Sequence, residues 1–322
     1  MLKSVKTVST KLKASRKWAP VPCACFFISM ATFASILLWN VVPYTIENTM
    51  QVFKNASAGL SHKSTVMSHT DVGHEIFPPE ISAQNAVLFN AKTGDIIYEK
   101  RKDDKAYPAS TTKILTALIT IETLEKYHSD ITQKVKVPKE AVGVEGSSIY
   151  LKQNEEITIE DLLYGLMLRS GNDAATALAY IIGGTEENFV DMMNTRASEL
   201  GCKNTNFTNP SGLFDENHYT TAFDMALISQ AAMKNETFKT ISAAQNWQSS
   251  RTTEDYPFFT NKNKVVFQYE GGNGIKIGYT EKSGRTLVAS ALRDEVQLIC
   301  VVMNAPDWFN DSYKLMNYGF DE

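Results

Sequence analysis

Residues 108–119 read PASTTKILTALI, and the architecture of the chain can be worked out from this segment. Its apolar residues recur at the spacing of one helical face, which predicts a core helix that begins near Ser110. Residues three positions apart share a face of a helix, so Ser110 and Lys113 should lie side by side. Because the helix is apolar, we expect both side chains to be buried.

This serine and lysine have the spacing that nucleophilic chemistry needs. A serine hydroxyl is a poor nucleophile unless a neighbouring group takes its proton. A buried lysine near other cations has a lowered pKa and can act as that base. Ser110 is the only serine in the chain with a lysine three residues later. The alternative is that Ser110 merely caps the helix and Lys113 is solvated.

A second polar element, residues 170–173, reads SGND. It is expected in a loop between two apolar helices, at residues 159–168 and 174–182. Ser170 could relay a proton to a leaving amine, and the amide of Asn172 could hold a peptide group of a substrate. All four residue types also favour turns, so a simple turn with a helix cap is the alternative.

The third element is Lys276-Ile277-Gly278, which follows the glycine-rich residues 271–274 and is predicted to begin a strand. On an edge strand that lines a cleft, Lys276 would supply positive charge for a substrate carboxylate. Gly278 would let a substrate approach the backbone closely. The alternative is a lysine at the start of a strand that faces water.

Strands are predicted towards both ends of the chain downstream of residue 80, and helices between them. The predicted strands are residues 86–90, 96–98, 286–291 and 296–303, and a fourth helix is predicted at residues 223–233. This order indicates an α+β domain whose sheet joins the two ends of the chain.

The charge distribution indicates export. Residues 1–17 carry basic residues and no acid, and residues 18–46 carry no charge. About 20 apolar residues cross a bilayer as a helix, and the basic side stays cytoplasmic. We therefore predict a cytoplasmic segment at 1–17, a transmembrane signal anchor at 18–46, a linker at 47–80 and an extracytoplasmic catalytic domain at 81–322. The alternative is a cleaved signal peptide and a secreted protein.

The remainder of the chain restricts the classes of partner. Beyond residue 17 it is acidic and has no basic stripe, which argues against nucleic acid as a partner. Only Cys202 and Cys300 lie in the exported part, so a disulfide framework is excluded. Cys300 sits in an apolar run and is expected to be a buried free thiol. A Cys202–Cys300 bridge is possible but has no positive support.

Taken in chain order, S-x-x-K, S-x-N and K-x-G form a set associated with penicillin-binding proteins and class A β-lactamases. On this set the sequence resembles the low-molecular-weight penicillin-binding proteins, which are D-alanyl-D-alanine carboxypeptidases of serine peptidase family S11. The resemblance covers roughly residues 80–322, and its matching segments are 108–113, 170–174, 209–213 and 278–284. It implies a β-lactamase/transpeptidase-like fold, with an antiparallel sheet flanked by helices and an all-helical subregion.

The resemblance also implies roles for the catalytic residues. Ser110 would be the nucleophile that attacks the D-Ala-D-Ala carbonyl, and Lys113 the general base. Ser170 would help to protonate the departing D-alanine, and Asn172 would bind the substrate amide beside Lys113. Water would then hydrolyse the acyl-enzyme.

The same resemblance assigns the substrate-binding residues. Lys276 would provide positive potential, Gly278 would allow close approach, and the backbone N–H groups of Ser110 and Tyr279 would form the oxyanion hole. The implied substrate is a peptidoglycan pentapeptide that ends in D-Ala-D-Ala, and β-lactams would be covalent inhibitors. No metal or other cofactor is implied.

The sequence departs from the family pattern at Ile277, where the usual threonine hydroxyl helps to hold the substrate carboxylate. No arginine follows Arg293 to replace that contact, and a literal K-T-G at residues 92–94 falls in a hairpin turn. A catalytically weak wall-binding or penicillin-binding homologue is therefore an alternative function. A β-lactamase is disfavoured, because no E-x-x-L-N pattern lies between Asn172 and Lys276.

Overall fold

A computed structural model describes residues 77–251 and 257–321. The predicted cytoplasmic segment, the predicted transmembrane segment and most of the predicted linker lie outside these residues. Within the described residues, no helix is both long enough and apolar enough to span a bilayer.

The strands and helices of the described residues are numbered in chain order. The strands are β1 Asn85–Asn90, β2 Ile96–Lys100, β3 Lys134–Lys136, β4 Glu156–Thr158, β5 Asn246–Gln248, β6 Phe258–Thr260, β7 Gly272–Thr280, β8 Gly284–Arg293 and β9 Val296–Met303. The helices are α1 Lys113–Lys126, α2 Ile159–Tyr164, α3 Asn172–Gly183, α4 Glu186–Glu199, α5 Ala222–Ala232, α6 Glu236–Ala243, α7 Val265–Gln268 and α8 Trp308–Asp321.

Five strands form one antiparallel sheet in the order β2-β1-β9-β8-β7. The first two and the last two strands of the described residues belong to it, which confirms the predicted α+β class and a sheet that joins the two ends of this part of the chain. β7 lies at one edge, so Lys276 sits in the middle of an edge strand. The prediction that Lys276 begins a strand was wrong, because the strand already starts at Gly272.

The sheet is covered on both faces, and the alternation of its side chains explains why. In β1, Val87 and Phe89 belong to a large apolar cluster shared with the helices between the strands. Ala86 and Leu88 belong to a smaller cluster, which includes residues of α8. Successive side chains of a strand point to opposite faces, so each central strand contributes to both cores.

The predicted helices are present with small changes of boundary. α1 is the central helix, and it is preceded by a 3₁₀ turn at Ala109–Thr112, so Ser110 lies in that turn. The predicted helix at residues 159–168 is α2 followed by a π-helical segment at Gly165–Arg169. The K-T-G of residues 92–94 lies in the exposed turn between β1 and β2, as predicted.

Both cysteines of the described residues are free thiols, so the possible Cys202–Cys300 bridge is not formed. Cys300 is fully buried in β9, as predicted. Burial raises the pKa of each thiol to about 12, which leaves both protonated and unreactive at neutral pH.

A buried ion pair fixes the loop that precedes β4. Arg251 Nε lies 2.7 Å from Glu155 Oε1, and the arginine side chain has no exposed surface. Arg251 also donates to the carbonyl oxygens of Ile149 and Tyr150. Both charged groups are buried, so the removal of one leaves the other inside the protein without a partner.

We predict that Arg251→Ala lowers the free energy of unfolding by about 3–5 kcal/mol, the cost of leaving one buried charge without its partner. Lys239→Ala is the matched control, since Lys239 pairs with Glu236 at the same 2.7 Å but at the surface. It should change the stability by about 1 kcal/mol or less. Urea denaturation of both variants measures the difference, and equal losses would contradict this account.

Candidate active site

The nucleophile and its partner meet at the start of α1. Lys113 Nζ lies 3.0 Å from Ser110 Oγ. The 3₁₀ turn that carries Ser110 is closed by Thr111, whose hydroxyl donates to Pro108 O over 2.7 Å. Lys113 has no exposed surface, whereas Ser110 is half-buried. The alternative in which Lys113 is solvated is therefore wrong.

The Lys113 amine has two further hydrogen-bond partners besides Ser110. Together the three partners determine in which direction its lone pair points. Lys113 Nζ donates to Asn172 Oδ1 over 2.8 Å and to the backbone carbonyl of Ser211. A neutral amine has two protons and one lone pair. If its two protons go to these acceptors, the lone pair is left facing Ser110 Oγ. The geometry therefore suits proton abstraction from the serine hydroxyl.

The surroundings favour the neutral amine. Burial lowers the pKa of Lys113 well below its usual value of 10.5, and the positive charges of Lys276 and Lys262 lower it further. The carboxylate of Asp173 opposes the shift but is the smaller influence compared with burial and Lys276. Desolvation and like charge both disfavour an ammonium, so the amine is available as a base at a lower pH than a surface lysine.

The S-x-N element lies where the π-helical segment ends and α3 begins. Ser170 is almost fully buried and adopts a left-handed backbone conformation, with φ 64°. Such conformations cost energy in a non-glycine residue and cluster at functional sites. Asn172 Nδ2 donates to Glu145 O over 2.7 Å, and its backbone N donates to Ser147 O. The amide of Asn172 is therefore fixed between the lysine and the loop before β4.

The edge strand β7 closes the other side of the site. Lys276 is 2% exposed, and its Nζ donates to Ile277 O. A side chain at Gly278 would place its Cβ 2.9 Å from Ser110 N, so this glycine allows the strand to pack against the nucleophile. Tyr279, whose backbone is the predicted second oxyanion donor, follows directly, and its side chain is 62% exposed.

Ile277 lies on the side of β7 that faces away from helices α1 to α6 and towards α8. Its side chain packs against the smaller apolar cluster, with residues of β8, β9 and α8. Since side chains alternate along a strand, Lys276 and Gly278 occupy the opposite face. The branched side chain is therefore accommodated as part of a core.

Three participants in the site were missed from the sequence. Ser211 contributes only its carbonyl oxygen, which no side-chain pattern reveals. Lys262 is exposed, and its charge acts on both Lys113 and Lys276. His218 lies behind the 3₁₀ turn and bonds Thr112. Residues 209–213 were part of the family resemblance, but without a role.

Comparison with known proteins places these elements in one family. A family model described as D-alanyl-D-alanine carboxypeptidase, peptidase S11, matches residues 69–307. D-alanyl-D-alanine carboxypeptidase DacF of Bacillus subtilis is 38% identical over 223 residues, which are 69% of this chain and 57% of the relative. DacA of Haemophilus influenzae is 34% identical over 79% of this chain and 66% of its own length. The chain thus spans less than two thirds of these relatives.

Solved structures agree with the described fold. The D-alanyl-D-alanine carboxypeptidase DacD of Francisella tularensis superposes with a TM-score of 0.71 at 28% identity, over 83% of this chain and 76% of that one. A mutant of the Streptomyces K15 DD-transpeptidase superposes with a TM-score of 0.70 at 32% identity, over 76% of this chain and all of that one.

We predict that Gly278→Ala slows acylation of Ser110 by benzylpenicillin by roughly 10²–10³, the typical cost of losing one oxyanion donor. The added Cβ would meet Thr286 Oγ1 at 2.6 Å and Ser110 N at 2.9 Å, which forces the strand away from the nucleophile. Gly94→Ala is the control, because its Cβ meets nothing within 4 Å and the strain at its φ of +87° is confined to the exposed turn between β1 and β2. Stopped-flow acylation rates that are equal for both variants would contradict the role of Gly278.

Proposed function

The chain belongs to the peptidase S11 family of D-alanyl-D-alanine carboxypeptidases, and we propose that it is itself such a serine-type enzyme, which trims peptidoglycan stem peptides. The observation that carries this proposal is the fully buried amine of Lys113, 3.0 Å from Ser110 Oγ. A lysine in this environment is not a solvated cation, and the group that it can deprotonate is the hydroxyl of Ser110.

In the proposed acylation step, Ser110 Oγ attacks the carbonyl carbon between the two D-alanines while Lys113 Nζ takes the hydroxyl proton. The negative charge that develops on the carbonyl oxygen is stabilised by the backbone N–H groups of Ser110 and Tyr279. The carbon–nitrogen bond then breaks, and the leaving amine takes a proton from the Ser170 hydroxyl. Ser170 regains a proton from the Lys113 ammonium, so the lysine is neutral again. Free D-alanine departs and leaves an ester on Ser110.

In the deacylation step, water attacks the Ser110 ester and restores the hydroxyl, and the shortened peptide is released. β-Lactams present a similar carbonyl, but their ring-opened leaving group stays attached. We therefore expect them to form a long-lived ester at the same serine. The substrate amide is proposed to bind Asn172, and this role is supported by the one Nδ2 proton that remains beyond the bond to Glu145 O.

The substrate carboxylate is proposed to bind near Lys276 and Lys262. The charge of Lys262 adds to burial in lowering the pKa of Lys276, which indicates that positive charge is concentrated beside β7. This potential does not depend on the residue at position 277. The side chain of Ile277 packs in the smaller apolar cluster, on the face of β7 opposite Lys276, and so leaves in place the charge that attracts the carboxylate.

We also propose that residues 18–46 anchor the protein in the cell membrane, with residues 1–17 in the cytoplasm and the catalytic domain outside. The support is the uncharged segment that follows a basic cluster. A cleaved signal peptide would place the same domain outside the cell without an anchor. Fractionation of cells, with and without carbonate extraction, separates the two arrangements.

The activity is tested by release of D-alanine from a wall pentapeptide. We expect the wild-type protein to release it, and Ser110→Ala to abolish release, because no other serine in the sequence has a lysine three residues later. Ser198→Ala, an exposed serine on α4, is the control and should keep full activity. Mass spectrometry after penicillin treatment should locate the adduct on Ser110. An adduct without release of D-alanine would contradict the carboxypeptidase proposal.

The pH dependence of substrate binding tests the role of Lys276. Burial, with repulsion from Lys262, lowers the pKa of Lys276 to about 7. The side chain is therefore cationic below about pH 7 and neutral above it, so attraction for a carboxylate weakens as the pH rises. We expect KM for a peptide ending in D-Ala-D-Ala to increase above pH 7.

The matched substrate for this test is the same peptide with an amidated C-terminus, which carries no carboxylate. Its KM should stay flat over the same range, because it has no charge for Lys276 to attract. Parallel increases for both peptides would exclude Lys276 as the carboxylate partner.

A further inference from the structure

The imidazole of His218 lies directly behind the turn that carries Ser110. The residue is 2% exposed, and its Nε2 lies 2.8 Å from Thr112 Oγ1. Thr112 immediately precedes Lys113 in the chain. On the other side of the ring, Thr208 N donates to Nδ1 over 3.1 Å. One ring therefore connects the first residues of the catalytic helix to the chain segment that begins at Thr208.

The tautomer of this histidine follows from its partners. A backbone N–H can only donate, so Nδ1 accepts from Thr208 N and carries no proton. The Thr208 hydroxyl, 3.3 Å from Nδ1, can then only donate to it. In the neutral ring the proton is then on Nε2, and it is donated to Thr112 Oγ1. A second proton on Nδ1 would face the N–H of Thr208. Burial lowers the pKa of His218 to about 4, which keeps the ring neutral over the range in which the enzyme is expected to act.

Residues 208–212, which we call the carbonyl segment, are pressed against the same turn. Thr116 Oγ1 donates to Pro210 O over 2.7 Å. Gly212 has φ +81°, and a Cβ there would collide with Ala109 O and approach Thr112 Oγ1. Between these contacts, Ser211 presents its carbonyl oxygen to Lys113 Nζ. The position of that oxygen thus depends on how the carbonyl segment is held.

We propose that His218 is a positioning residue for Lys113. By hydrogen bonding to both Thr112 and Thr208, the ring fixes the position of the Ser211 carbonyl. That carbonyl then accepts one proton of the Lys113 amine, and the lone pair of the amine is left facing Ser110. The inference rests on the proposed function, because it assigns a task only if Lys113 is a base. His218 does not touch Ser110 or a substrate, and its effect is carried by the carbonyl segment.

Several charged groups lie close enough to Lys113 and His218 to influence their pKa values, and these pKa values determine the expected pH dependence of acylation. Lys113 is faced by Lys276 from β7, by Lys262 from the loop before α7 and by Asp173 from α3. His218 is faced by Asp215 and by Lys113 itself. A loosened carbonyl segment would admit water beside Lys113, reduce its desolvation and return its pKa towards 10.5.

The experiment measures the rate constant for acylation by benzylpenicillin from pH 5 to pH 10. Thr112→Val keeps the shape of Thr112 and removes the hydroxyl that accepts from His218, and His218→Phe removes both bonds of the ring. Each of these two variants should lower the acylation rate constant at pH 7 by roughly 10- to 100-fold, which is part of the rate enhancement that a general base supplies. The acid limb of the profile should move to higher pH, so that the rate recovers in alkali.

Two further variants separate positioning from stability. Thr112→Ser keeps the hydroxyl and should retain the wild-type profile. Ser229→Ala removes a buried hydrogen bond to Met225 O on α5; it should lower the melting temperature without moving the acid limb. If Thr112→Val and His218→Phe lower only the melting temperature, the positioning role is overturned.

The tautomer gives a test that needs no variant. Nitrogen NMR of the wild-type protein should show His218 protonated on Nε2 and not on Nδ1 at pH 7, and a proton on Nδ1 would overturn the inference. The two proposals fail in different ways. If the wild-type protein is not acylated at all, the proposed function itself is wrong; if it is acylated and the variants keep its pH profile, only the role of His218 is wrong.

Discussion

The burial of one lysine amine among three oxygen atoms is the constraint on which the rest of this structure depends. An ammonium with no exposed surface is costly unless its charge is compensated, and Lys113 has two lysines acting on it and one opposing carboxylate. The neutral amine avoids that cost. Its two protons match the two acceptors at Asn172 and Ser211, and the remaining lone pair faces Ser110. The stable form of the site is therefore also the reactive one.

The fold brings these atoms together from distant parts of the chain. The central helix α1 carries the amine, α3 carries Asn172, the carbonyl segment carries Ser211, and the edge strand β7 closes the cleft at Gly278. The sheet is built from both ends of the described chain, with the helices inserted between. A one-residue shift of β7 would exchange Lys276 with Ile277, and thus a cation with a core side chain.

Much of this arrangement could be predicted from the sequence because it rests on local patterns. Apolar runs on either side of turn residues identified β1, β8 and β9, and apolar segments of helical length identified α1, α2, α3 and α5. Ser110, Lys113 and Asn172 could be selected by type and spacing. The carbonyl of Ser211 could not, since every residue has one and only the tertiary structure decides which oxygen meets the lysine. The same holds for His218, which is separated from Thr112 by more than one hundred positions, and for the charge of Lys262. The helices α4, α6, α7 and α8 went unpredicted, and α4 has few fully buried residues to mark its inner face.

The protonation state of Lys113 in the free protein tests the central claim most directly. The amine can be followed by NMR of protein labelled in its lysine side chains, with the signal assigned by its absence in Lys113→Arg. We predict that Lys113 titrates well below 10.5. A Lys113 amine that stays charged until the surface lysines lose their protons would contradict the account.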